Sequence, residues 1–135
     1  MTDIQITAEK IENINIEELN PYERNPKIHS DIQIEQISNS IKEWGWTIPI
    51  LIDEQNNIIA GHGRFLAAKN IDIDVVPCIR ANDWSEEKKR AYLIADNKLA
   101  ENSSWDSALL YSELKSIVEA EFDLSLTGMD EQFSL

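Results

Sequence analysis

Gly61, His62, Gly63 and Arg64 stand side by side in this 135-residue chain and include two of its four glycines. Arginine carries a permanent charge on a planar fork of N–H donors that matches phosphate oxygens, and imidazole can donate a hydrogen bond or carry a proton near neutral pH. Glycine lets the backbone adopt positive φ or come close to a ligand. The chemistry suited to these residue types is the seating of a phosphate or other anion. Before the four residues runs Ile58-Ile59-Ala60 and after them Phe65-Leu66-Ala67-Ala68, which reads as a strand handing over to a helix. The free N–H groups and dipole of that helix start favour an anion as well. The same four residues also suit a plain strand-to-helix turn whose glycines serve only backbone shape.

The elements that must position this turn follow from apolar spacing and breakers. Ile11, Ile14, Ile16 and Leu19 suggest a first strand, followed by a loop with two Asn-Pro steps, Asn20-Pro21 and Asn25-Pro26. Ser30 with Gln33 forms a capping-box pattern, and Ile34, Ile37, Ile41 and Trp44 recur at helical spacing, so residues 31–44 are expected to be a helix stopped by Gly45. Thr47 to Ile52 reads as a strand, and Pro49 within it implies an edge position or a bulge. A polar turn, Asp53 to Asn57, then makes a hairpin with Ile58 to Ala60. Beyond it come a helix over 64–69, a strand over Val75 to Ile79 and a helix over about 85–98, capped by Asp83 with Glu86 or by Ser85 alone. Asp106 opens a last helix with Leu110, Leu114, Ile117 and Val118 on one face, and the tail from Phe122 to Leu135 alternates weakly. Few strands followed by helices imply a small α+β domain.

The charge of −13 argues against a simple nucleic-acid binder. Its distribution is uneven: residues 1–60 carry 4 basic and 11 acidic side chains, 61–98 carry 7 and 6, and 99–135 carry 1 and 8. Only the middle stretch, which starts at the glycine turn, is not net acidic. Lys88-Lys89-Arg90 within it reads as an exposed helical face, and Trp44, Trp46, Trp84 and Trp105 as packing residues. A single cysteine, Cys78, excludes an internal disulfide and suits a reducing compartment. With no secretory pattern and no long apolar run, the expectation is a soluble cytoplasmic protein without membrane contact.

A set of short pieces then falls in a familiar order: Leu19-Asn20-Pro21, Arg24-Asn25-Pro26-Lys27, Ser40-Ile41-Lys42-Glu43-Trp44-Gly45, Pro49-Ile50, Ile59 through Arg64, Ala67-Ala68-Lys69 and Val76-Pro77. Over residues 10–100 the chain resembles the ParB-like nuclease (ParB N-terminal) domain of the ParB/sulfiredoxin superfamily. The stretches Ala91 to Asn102, Trp105-Asp106 and Phe122 to Gly128 resemble the version fused ahead of phage and bacterial DNA methyltransferases. The resemblance implies a small mixed sheet packed with helices, with an N-terminal tail over 1–9, the ParB-like domain over 10–102 and a helical extension and tail over 103–135. It places the family's Gly-x-x-Arg phosphate turn on Gly61 and Arg64. ParB proteins carry an acidic residue and a second arginine between those two, where this chain has His62 and Gly63. Sulfiredoxin's catalytic cysteine is missing from the turn, which sets sulfinic acid reduction aside.

Several roles follow from the resemblance. Arg24, Asn25 and Lys27 would add to the phosphate site, and Asp96 with Asn97 would hold a Mg²⁺ ion that accompanies CTP or ATP. Mg²⁺ suits such a pair because it takes one or two protein oxygens and completes its shell with phosphates and water. His62 and Glu23 are the candidate bases for any hydrolysis or phosphotransfer. The function implied is a nucleoside-triphosphate-binding accessory module of a DNA-modification or DNA-partition system, with a methyltransferase or other protein as partner, DNA contacted weakly or indirectly, and self-association as a homodimer. The alternative is a non-enzymatic module that tethers a methyltransferase to DNA or protein. Nuclease activity, named in the family label, lacks an evident cluster of acids to gather metal ions. No helix-turn-helix pattern follows Asn102.

Overall fold

The computed structural model describes residues 3–129; residues 1–2 of the expected N-terminal tail and 130–135 of the expected C-terminal tail lie outside them. Four strands and four helices form in chain order: β1 (Glu12–Asn15), α1 (Asp31–Trp44), β2 (Ile50–Ile52), β3 (Ile58–Ala60), α2 (His62–Asn70), β4 (Val75–Arg80), α3 (Glu86–Glu101) and α4 (Ser107–Glu119). The sheet order is β1-β4-β2-β3. β4 pairs antiparallel with β1, setting Ile14 against Val76, and parallel with β2, setting Ile50 against Cys78. The hairpin of β2 and β3 is antiparallel and carries a register shift at Leu51/Ile52. The result is the expected α+β fold.

Alternation along the strands separates two apolar layers. Ile50, Ile52, Val76 and Cys78 pack with Ile14 and with Phe65 and Ala68 of α2, while Leu51, Ile59, Ala60 and Ala81 pack on the opposite face with Trp84. α1 lies against α2, and α3 lies against β3. At α1, Ser30 Oγ accepts from the Gln33 backbone N–H at 3.1 Å, so half of the expected capping box forms. The other half does not, because the Gln33 side chain turns to His29. Ser85 and Asp106 cap α3 and α4 in the same way.

Three expectations are corrected. β2 begins at Ile50, after Pro49, and runs between β4 and β3 rather than at an edge; starting there keeps the proline, which has no N–H, out of the ladder. The first strand is only Glu12–Asn15, and Ile16–Glu18 turn into a 3-10 helix whose Glu17 N–H is taken by Asn15 Oδ1. The run 88–90 is not simply a solvated face. Lys88 lies 4.7 Å over the Trp84 ring, and Lys89 reaches 2.8 Å to Asp53 Oδ2, with side-chain exposures of 13% and 2% for the pair.

The C-terminal segment does not stand apart from the rest. Trp44, half exposed on α1, stacks on Phe122 at 6.3 Å, and Leu114 and Leu124 are buried. A 3-10 turn over Leu124–Thr127 packs on both α1 and α4.

Candidate functional site

β3 delivers the chain to Gly61, whose φ of +108° starts α2 two residues earlier than apolar spacing implies. The first intrahelical bond is Phe65 N–H to Gly61 C=O at 3.0 Å, which places His62, Gly63 and Arg64 in the first turn, ahead of the hydrogen-bond ladder. Both glycines are held by close approach. A methyl group at Gly61 would stand 3.2 Å from Arg64 Nη2 and 3.2 Å from Ile50 Cγ1, and one at Gly63 would stand 3.0 Å from both His29 Cε1 and Ile37 Cδ1. The turn therefore exists in this form because residues 61 and 63 have no side chains.

His62 is 6% exposed. Burial, with His29 adding repulsion, pushes its pKa down to about 4, so the ring is neutral at pH 7. Its Nε2 accepts the Tyr22 N–H at 3.1 Å, and the proton of the neutral ring then sits on Nδ1. Nδ1 is buried and has no partner. At Arg64, burial lowers the pKa while Asp96 and Tyr92 oppose that effect, and the guanidinium stays charged. Its Nη2 makes a long 3.5 Å contact to the Pro49 carbonyl, and its buried Nε has no partner. His62 and Arg64 thus each hold a buried donor with no acceptor.

A cleft of about 400 Å³ opens at this turn. Gly61, His62, Gly63 and Arg64 line it together with Asn25 and Lys27 from the first loop and Asp96 and Asn97 from α3. The loop is fixed to the hairpin by Ile58 N–H to the Asn20 carbonyl at 2.8 Å, and Asn25 Oδ1 accepts the Lys27 N–H at 3.0 Å. Glu23 and Arg24 point elsewhere: they line a neighbouring cavity of about 430 Å³ with Asp53, Lys89 and Arg90. Lining residues that the sequence did not single out for the site are His29 and Gln33, and Leu126, Thr127 and Gly128 of the C-terminal turn. They arrive by tertiary packing alone.

Asp96 is exposed at the rim. Burial first, and the neighbouring Asp96 carboxylate next, raise the pKa of the Tyr92 hydroxyl. Asn97 Nδ2 donates to the Leu93 carbonyl at 2.8 Å, which leaves its Oδ1 free to accept. Among the described residues no three His, Cys, Asp or Glu side chains are grouped to hold a metal ion. One carboxylate and one amide oxygen fit Mg²⁺ only as an ion shared with phosphate oxygens. Cys78 is fully buried, and burial raises its pKa to about 11, so it offers no thiolate.

Residues 2–97 match the model of the ParB N-terminal domain. The chain belongs to that family. Its ParB N-terminal domain is 47% identical over 75 residues to the ParB-like nuclease domain-containing protein YnaK of Escherichia coli, covering 56% of this chain and 86% of YnaK. Against a probable chromosome-partitioning protein ParB of Rickettsia bellii, identity is 36% over 89 residues, covering 65% of this chain and 31% of the relative. The chain thus spans about a third of that partitioning protein. Among solved structures, the ParB of Caulobacter crescentus complexed with CTP-γ-S superposes with a TM-score of 0.69 at 22% identity, over 82% of this chain and 64% of that one. Sulfiredoxin of Arabidopsis thaliana follows the same fold with a TM-score of 0.52 at 16% identity, over 62% of this chain and 97% of that one. The ParB N-terminal domain here therefore has the ParB/sulfiredoxin fold. Among the described residues no helix is long and apolar enough to cross a membrane.

Proposed function

We propose that this domain binds a nucleoside triphosphate by its phosphates at the start of α2, as an accessory module of a DNA-partition or DNA-modification system. The observation that carries the reading is the meeting in one cleft of Lys27, Arg64 and the first turn of α2, whose N–H groups precede the hydrogen-bond ladder. Fixed cations beside unpaired helix-start N–H groups favour an anion such as phosphate. Lys27 at the rim and the first-turn N–H groups of α2 add positive potential. CTP is the first nucleotide to test because a ParB of the same fold was solved with its thio analogue.

The chain's part in such binding is positioning and charge neutralisation. Arg64 and the neutral His62 would hold phosphate oxygens, and Asp96 with Asn97 Oδ1 would hold Mg²⁺. When bound, the ion would neutralise phosphate charge. Glu23 lines the neighbouring cavity, and the lone pair of His62 Nε2 is taken by the Tyr22 N–H, so neither supports base catalysis at the turn.

Thermal-shift and calorimetric titration with CTP and ATP, with and without Mg²⁺, tests the reading. A triphosphate at a hundred times its Kd should stabilise the fold by about 2.7 kcal/mol. Arg64→Ala should weaken binding by about tenfold to a hundredfold, the value of a charge-assisted hydrogen bond. No shift with any triphosphate at millimolar concentration refutes it.

One observation favours a second role beside the first. Leu99, Trp105 and Leu109, at the α3–α4 junction, are 69%, 69% and 65% exposed. Exposed apolar side chains of this size suit a protein contact, and a methyltransferase is the partner such a contact would take. A pull-down with that partner that Arg64→Ala leaves unchanged would separate tethering from nucleotide binding.

A further inference from the structure

His29 occupies the cleft without belonging to the glycine turn. It precedes the Ser30 cap of α1, and its ring fills the space that Gly63 leaves free, with Cε1 3.0 Å from where a Cβ would stand. Its Nδ1 lies 2.8 Å from Gln33 Oε1. A carbonyl oxygen only accepts, so the ring proton sits on Nδ1 and the ring is fixed in place. Nε2, the other nitrogen, has no partner among the described residues and no proton in the neutral ring. The ring lines the same cleft as His62 and Arg64 of α2, Lys27 of the preceding loop and Asp96 of α3. The permanently charged side chains that line the cleft, Lys27 and Arg64 against Asp96, leave it net positive.

An entering phosphate changes that balance. As an anion it favours the charged imidazole, which gains an N–H on Nε2 and becomes a donor at both nitrogens. Resting on the phosphate-binding reading above, we infer that His29 is a ligand-contacting residue whose Nε2 takes a proton from solvent as a phosphate group enters and donates it in a hydrogen bond to that group. Ligand uptake is then coupled to uptake of a proton. His62 cannot substitute for it, because its ring is buried and its Nε2 is engaged by the Tyr22 N–H.

The test is calorimetric titration of the whole chain with inorganic tripolyphosphate, without added metal, and with CTP plus Mg²⁺. It runs from about pH 6 to about pH 8, where imidazoles change charge, in two buffers of different ionisation enthalpy. Wild type should take up as much as one proton per ligand. Relative to His29→Gln, which shares the ligand's own titration, it should gain about tenfold in affinity toward the acid end. His29→Asn is the second variant, and the folding of both is checked by melting temperature. NMR of the ring nitrogens should show Nε2 becoming protonated on addition of ligand. Wild type and folded His29→Gln binding equally at every pH overturns the role of His29 alone. Failure of both probes to bind wild type overturns it together with the phosphate reading.

Discussion

Replacing Lys89 with methionine keeps the aliphatic stem and removes only the ammonium. The structure assigns that ammonium a buried partner: Asp53 Oδ2 at 2.8 Å, on a side chain 2% exposed. Asp53 also accepts from the backbone N–H of Gln55 and of Asn57, each at 2.9 Å, and from Asn57 Nδ2 at 3.0 Å. Loss of one partner from a buried pair costs about 3–5 kcal/mol because a charge is left uncompensated. The three remaining donors place Lys89→Met near the lower end, about 3 kcal/mol, or about 10 °C in Tm for a chain of this size. Urea unfolding followed by circular dichroism measures it. The pH dependence adds a second readout. Burial pushes the Asp53 carboxyl up, but donors from Lys89, Asn57 and Gln55 outweigh that and hold it below its ordinary 3.8. Its contribution is therefore complete above 3.8 and is lost as pH falls through the lower folded-state value. In Lys89→Met the acid loss should begin at higher pH. In an Asp53→Asn background, Lys89→Met should cost far less, because no buried carboxylate remains to be stranded. A loss below about 1 kcal/mol for Lys89→Met alone is the behaviour of an exposed pair and would refute the reasoning.

Two further outcomes are expected. The low pKa of His62, about 4 against an ordinary 6.5, means that the unfolded chain binds a proton more readily than the fold does. Stability should hold above 6.5 and fall by about 3 kcal/mol on acidification toward 4, and His62→Gln should flatten that limb in urea midpoints measured across the range. Leu124→Ala, at a side chain 2% exposed, should cost about 3 kcal/mol. It should also alter Trp44 fluorescence through the neighbouring Phe122 stack and weaken CTP binding. A main unfolding transition left unchanged would show that residues 103–135 fold separately from 10–102.

Much of the local structure is legible in the chain because its causes lie within a few residues. Ser30, Ser85 and Asp106 each cap the N–H three residues on, so α1, α3 and α4 start where a short-range pattern says they should. The hairpin of β2 and β3 and the handover through Gly61 are likewise local, and they fix where a phosphate turn would stand. What the sequence determined by itself is this order of elements and the residue types at the turn.

Only the tertiary structure decided which side chains share the cleft. Asp96 and Asn97 join Arg64 across some thirty residues, and Leu126 to Gly128 join from farther still, whereas Arg24 lies next to Asn25 in sequence and lines a different cavity. The same holds for protonation and burial. Lys88-Lys89-Arg90 looks uniform as a charge run, yet Lys89 alone meets the carboxylate that the hairpin turn holds beneath α3. His62 reads as an imidazole able to titrate near neutrality until burial removes that option. Spacing along a helix or strand reports which residues share a face, but desolvation and charge pairing depend on what packs against that face, and packing partners come from distant parts of the chain.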